Sequence, residues 1–264
     1  MILFTYLPDM RTLLLLVMLV LRFASLAQRP AQGPMSDSIF NPVAKGYHLV
    51  WEDEFNGTEL DTTKWRIRGV GPRAIAYVSP EAMEVRDGKL WLRALRRGDT
   101  LLGSAVGTQG LFMSKYGYYE CRAQVQRSPG VWGAFWIQST DISKGEDPAV
   151  FGAEIDIMEC FRKLGKDIVS HNVHWAYGPH QQSTHGMQSK LKGVGKGFHT
   201  FGLEWFPDHY VFYVDGLKFY EVHQGISQIE EYMILSMEYP HEAKDIRHTR
   251  FPDVFVVDRV SVYK

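Results

Sequence analysis

Glu154-Ile155-Asp156-Ile157-Met158-Glu159 alternates acidic and apolar side chains for four positions and then breaks step. Successive side chains of an extended strand point to opposite faces. Glu154 and Asp156 therefore share a face, while Ile155 and Ile157 enter a core behind them. Glu159 lies five positions after Glu154, on the wrong face of a regular strand, where a lone buried carboxylate is costly. One extra residue, a β-bulge around Ile157-Met158, flips the alternation and returns Glu159 to the side of the other two. The segment reads as a bulged strand that gathers three acids on one face.

The rest of the chain supports a sheet on either side of it. Lys89 to Leu95 alternates, with Leu90, Leu92 and Ala94 opposite Trp91 and Arg93. Tyr118 to Val125 sets Cys121, Ala123 and Val125 against Glu120, Arg122 and Gln124. Tyr210 to Val214 runs into Asp215-Gly216, a hairpin signal, and Lys218 to Val222 returns. Val254 to Tyr263 closes the chain as a β-branched strand. No dozen residues after the N-terminal segment carry helical periodicity. Closely spaced strands with frequent turns and little helix predict an all-β sandwich, one domain over residues 41–264.

The N-terminus reads as an address. Arg11, the apolar run Leu13 to Leu21, and the small residues before Gln28 follow the order of a secretory signal peptide. Residues 1–27 are expected to be cleaved, with Met10 an alternative start, and residues 28–40 to form an unstructured leader. The product is expected to be secreted or periplasmic; the apolar core is short for a stable membrane insertion, although an uncut anchor is the competing reading. Of 264 residues, 29 are Lys or Arg and 30 are Asp or Glu, so the near-neutral balance argues against a nucleic-acid partner. Only Cys121 and Cys160 are present, too few for a disulfide scaffold; both are expected in the core, as free thiols in preference to a pair.

Three acids on one face suit glycosidic bond cleavage. A retaining glycosidase sets two carboxyls about 5–5.5 Å apart, one to attack the anomeric carbon and one to protonate the leaving oxygen. Mutual repulsion raises the pKa of at least one of them, which suits the proton donor. Trp132 and Trp136, four apart in an alternating segment, point to the same face and are candidates to stack on sugar. His174 and Trp175, in the segment after the acids, and Glu204 and Glu238, in later strands, are further candidates for substrate contact. Glu120 and Arg122 read as an ion-paired scaffold or as substrate contacts. His171, His174, His180 and His185 lack the spacing of common zinc sites, so no catalytic metal is expected.

The hexapeptide resembles the bulged signature of glycoside hydrolase family 16, the laminarinase, agarase and κ-carrageenase group. Similar wording recurs in order along the chain: Trp51-Glu52-Asp53-Glu54-Phe55, Lys115 to Arg122, Trp132-Gly133-Ala134-Phe135-Trp136, His199 to Trp205 and Val257-Asp258-Arg259-Val260. The resemblance implies a jelly roll of two curved antiparallel sheets with a sugar cleft across the concave face. It implies Glu154 as nucleophile, Glu159 as acid/base and Asp156 as the assistant between them. It also implies a structural calcium held by Glu54, Asp258 and the carbonyl of Gly88, oxygen donors that suit a hard cation. The expected activity is endo-hydrolysis of a β-1,3-glucan or β-galactan by a monomer. A transglycosylase and a non-catalytic, lectin-like glycan binder are the competing readings. The wording of His171 to Trp175 and Leu235 to Glu238 departs from that of laminarinases, which keeps galactans and mucin-type glycans open as substrates.

Overall fold

A computed structural model describes residues 30–264, so the expected signal peptide lies outside the described residues. In chain order the strands are β1 (Leu49–Asp53), β2 (Arg66–Ile67), β3 (Gly71–Arg73), β4 (Ala76–Val78), β5 (Met83–Arg86) and β6 (Lys89–Arg97). They continue with β7 (Thr100–Gly107), β8 (Gly117–Gln124), β9 (Trp132–Gln138), β10 (Glu154–Glu159), β11 (Ile168–Trp175) and β12 (Gln182–Ser183). The last six are β13 (Met187–Lys190), β14 (His199–Trp205), β15 (Tyr210–Val214), β16 (Leu217–Val222), β17 (Tyr232–Glu238) and β18 (Asp253–Tyr263). Among the described residues the α-helical piece is one turn, Pro148–Phe151, started by Asp147 as cap and Pro148 at the first position.

Most strands build two antiparallel sheets, and the β3–β4 hairpin lies against β7 through a parallel pairing of β4. One sheet runs β2-β7-β17-β9-β10-β11-β13, with β12 also on β11. The other runs β5-β6-β18-β8-β14-β15-β16, with β1 beside the end of β18. The β6–β7 hairpin links them at a corner through Leu95 to Arg97. Apolar residues of alternating parity fill the space between: Leu90, Leu92 and Ala94 from β6, Cys121 and Ala123 from β8, Phe135 and Ile137 from β9, Ile155 and Ile157 from β10. Cys121 and Cys160 are buried and free in that core. Asp215 (φ 51°) and Gly216 (φ 74°) turn the β15–β16 hairpin, both in the left-handed region that a type I′ turn requires.

The second sheet, here the outer one, and the N-terminal segment correct two expectations. Glu120 and Arg122 do not pair with each other; Glu120 binds Arg259 at 3.0 Å and Arg122 binds Asp258 at 2.5 Å, each across strands. Residues 30–40, expected to be unstructured, are tied down from Gln32 onward. The Gln32 N–H donates to the Gln188 carbonyl (2.9 Å), the Lys190 N–H to the Gln32 carbonyl (2.7 Å), and the Met35 N–H to the Lys218 carbonyl (2.7 Å). The segment satisfies the open edges of β13 and β16, groups that otherwise await a partner. It ends with Phe40, whose ring lies 4.7 Å from Tyr118 and 4.6 Å from Tyr213.

Phe40→Ala is expected to cost about 2 kcal/mol, less than a fully buried Phe because its own ring is only partly covered. Urea unfolding checks this; an unchanged midpoint would mean that the strap contributes nothing to stability.

Candidate active site

Strand β10 sits between β9 and β11, and its register breaks where the sequence requires. Asp156 faces Trp136 and Met158 faces Phe135, so Ile157 is the extra residue against β9. Against β11, Asp156 faces Asn172 and Glu159 faces Ser170. The bulge buries Ile155, Ile157 and Met158 and leaves Glu154, Asp156 and Glu159 lining one cavity of about 550 Å³. Buried side chains brace the strand. Glu231 Oε1 accepts from the Ala153 N–H at 2.7 Å, one residue before Glu154. Just ahead, Gly152 has φ 77°, and a Cβ there would come within 2.2 Å of Ser139 Cβ, so no other residue fits. Beyond Glu159, the Gln126 amide donates to the Cys160 carbonyl at 2.5 Å.

Glu154 is held by donors. Gln138 Nε2 donates to its Oε2 at 2.5 Å, and the Tyr177 hydroxyl hydrogen-bonds it as well. Gln138 is oriented in turn, because its Oε1 accepts from Tyr232 (2.9 Å) and Arg68 (2.9 Å). Aimed donors both stabilise a nucleophilic carboxylate and fix its direction. Burial, reinforced by the charge of Glu154, pushes the Asp156 carboxyl well above the usual carboxylate range. Burial does the same for Glu159, with Asp156 and Glu154 adding to it. A protonated Glu159 beside a hydrogen-bonded Glu154 is the division of labour that a donor and a nucleophile need.

Of the expected substrate contacts, four reach this cavity or its acids. His174 Nε2 stands 3.4 Å from Asp156 Oδ2 and 2.8 Å from the Asn172 amide nitrogen. Trp132 lines the cavity with Phe161 at 4.9 Å behind it. Trp136 also lines it, but Arg68 covers one ring face at 5.0 Å and the indole N–H is bound to Ser236, leaving Trp132 the more open platform. Glu238 lines the wall and pairs with Arg73 at 2.7 Å.

Two expected contacts are elsewhere. Trp175 packs against the core between the sheets, because His174 faces Glu154 and its neighbour must point the other way. Glu204 lies on β14 in the outer sheet, accepting from the hydroxyls of Tyr47 and Tyr213. The calcium ligands do not fit a cation: Asp258 already faces Arg122 (2.5 Å) and Lys89 (3.7 Å), and Glu54 accepts from Asn56. Gly88, expected to offer its carbonyl, lies beside that Asn56 side chain. The histidines do not converge either. His171 is buried, His174 is at the acids and His180 is exposed. Glu154, Asp156 and His174 place one ligand atom each within 4.8 Å of one another, the one such group among the described residues.

Sequence reasoning passed over Gln138, Tyr177, Arg68, Arg73 and Tyr232. Gln138 carried a usable signal, since it continues the parity of Trp132 and Trp136. The others arrive from distant segments and carried none.

A family model described as "Beta-porphyranase A-D, GH16 domain" matches residues 50–253. The glucan endo-1,3-beta-glucosidase A1 of Niallia circulans is 30% identical over 209 residues, 69% of this chain and 30% of that protein. Beta-porphyranase D of Zobellia galactanivorans is 29% identical over 178 residues, 61% of this chain and 40% of that one. This chain therefore spans less than half the length of these two curated relatives. The crystal structure of a laminarinase from Flavobacterium sp. UMI-01 superposes with a TM-score of 0.71 at 25% identity, covering 82% of this chain and all of the other. The jelly-roll architecture is thus shared.

Burial pushes the Glu231 carboxyl up to about 8. A carboxyl raised on folding binds more protons in the native state, so its contribution is present at low pH and is lost as pH rises from about 4.5 to about 8. Native stability should fall over that window, and Glu231→Gln should flatten part of the slope. Identical pH slopes for the two proteins in urea melts would show that Glu231 is not protonated on folding.

Proposed function

The chain belongs to glycoside hydrolase family 16, and on that footing we propose that it is an endo-acting, retaining glycosidase that cleaves β-linked polysaccharide by double displacement. The observation that carries this reading is the bulge that sets Glu154, Asp156 and Glu159 on one wall of a single cavity. Glu154 attacks the anomeric carbon while Glu159 delivers its proton to the glycosidic oxygen, and the aglycone leaves. A covalent glycosyl-enzyme results. Glu159, now ionised, removes a proton from water, which attacks the anomeric carbon and frees Glu154. Asp156, buried beside Glu154, retains a proton and steadies the nucleophile's oxygen. The same intermediate serves a transglycosylase, with a sugar hydroxyl in place of water.

For the substrate we propose a β-linked galactan in preference to a plain β-1,3-glucan. The match to a porphyranase family model supports this, as does an arginine in the cavity lining that no carboxylate neutralises. Arg73 is neutralised by Glu238, whereas no carboxylate among the described residues pairs with Arg68. The apolar run ahead of Gln28 supports export of the enzyme, to where such polymers are met. Among the described residues no helix is long and apolar enough to cross a membrane.

The test is digestion of porphyran, agarose, carrageenan, laminarin, mixed-linkage glucan and mucin glycans, with products sized and the first-formed anomer read by proton NMR. Oligosaccharides released with the β configuration are expected, from a galactan first. Glu154→Ala should abolish release while the protein stays folded; undiminished release would remove Glu154 as nucleophile. Glu159→Gln should slow polymer cleavage by about a thousandfold and spare aryl glycosides with good leaving groups, which need little proton donation. Retained binding without cleavage by the wild type would favour the glycan-binding reading.

A further inference from the structure

Behind β10, on the side away from the acids, lies an imidazole that the reaction scheme leaves unused. His171 is fully buried on β11. Its Nδ1 is 2.6 Å from the carbonyl oxygen of Ile157, and its Nε2 is 2.7 Å from the Ser189 hydroxyl on β13. A carbonyl only accepts, so Nδ1 carries the proton and Nε2 accepts from Ser189. Burial pushes the imidazole pKa down to about 4, which keeps the ring neutral in this one tautomer. Phe212 at 5.2 Å and Tyr220 at 6.0 Å, both from the outer sheet, close over the ring.

The carbonyl it meets belongs to the residue that the bulge inserts. Ile157 has no register partner on β9, and neither Ile157 nor Met158 has one on β11. A buried carbonyl outside the ladder needs another donor, or the strand does better by regularising its register. Regular register would turn Glu159 away from the cleft. We propose that His171 is a positioning residue: its Nδ1–H, donated to the Ile157 carbonyl, locks the bulge and so aims Glu159 at the leaving oxygen. The inference rests on the proton-donor role proposed for Glu159.

Three substitutions test it, with kinetics on polymer and on an aryl glycoside with a good leaving group. The Asn amide nitrogen falls near the position of Nδ1, the Gln amide nitrogen near that of Nε2, and Leu donates nothing. His171→Leu and His171→Gln are expected to lower kcat on polymer by about a hundredfold with KM little changed, and to affect the aryl glycoside far less. His171→Asn should recover to within about tenfold of wild type. Equal losses on both substrates, a change confined to KM, or Gln performing as well as Asn would overturn the proposal. Where the Leu protein does not fold, the Asn and Gln pair decides. A wild type inactive on every substrate would refute the functional reading instead. The crystal structure of His171→Leu, or of His171→Gln, then judges the geometry: loss of the Ile157 bulge upholds the lock, and an unchanged bulge with Glu159 in place overturns it.

Discussion

A strand repeats every two residues, and this molecule depends on breaking that repeat once. Carboxyls at even separations share a face, but Glu154 and Glu159 are five apart. The bulge at Ile157 changes parity a single time, and both faces then agree with their surroundings. Before it, Ile155 and Ile157 are buried behind Glu154 and Asp156. After it, Glu159 returns to the cavity and Cys160 enters the core. No other local change places three acids on one wall without also burying one of them among apolar side chains.

An extra residue in a ladder leaves backbone groups unmatched, and buried ones require partners. Here side chains from three different segments hold the backbone at the bulge and just beyond both ends of the strand. Glu231 takes the Ala153 N–H ahead of the acids, His171 meets the Ile157 carbonyl in the middle, and Gln126 meets the Cys160 carbonyl at the end. Gln126 also accepts from the Gly133 N–H, which ties β10 to the start of β9, where Trp132 stands. Each of the three is buried and polar, a costly arrangement unless its bonds are made. Their combined effect is a catalytic strand that cannot slide without breaking several buried hydrogen bonds together.

What could be read from the sequence was what depends on neighbours in the chain. Alternation in β6 and β8, the Asp215-Gly216 turn and the bulge are all local patterns, and each has its expected place. What failed depended on a partner strand. Trp175 adjoins His174, so only one of the two was able to face the acids, and the pairing of His174 with Glu154 decides which. Glu204 has the polar, outward character of a cleft residue, but its strand belongs to the other sheet, a distinction that parity does not encode. Residues 32–40 have the Gly and Pro content of a loose leader, yet they meet edges that no local pattern announces.

The same division separates the reaction from its substrate. Six consecutive residues carry the three acids, so the chemistry is written in one place. The walls are assembled from Arg68 and Arg73 near the start, Gln138 and Tyr177 in the middle, and Tyr232, Glu238 and His241 near the end. A change of loop leaves the bulge its braces, because these come from residues outside the cavity. Arg68 shows what such a wall does. It supports Gln138, and through it Glu154, while its guanidinium lies over Trp136 and occupies a ring face on which a neutral sugar would stack. One side chain thus joins the positioning of Glu154, the proposed nucleophile, to the charge that a substrate meets. Replacing it to suit a different polymer would disturb Glu154 as well, so the charge of this wall and the geometry of the acids are physically coupled.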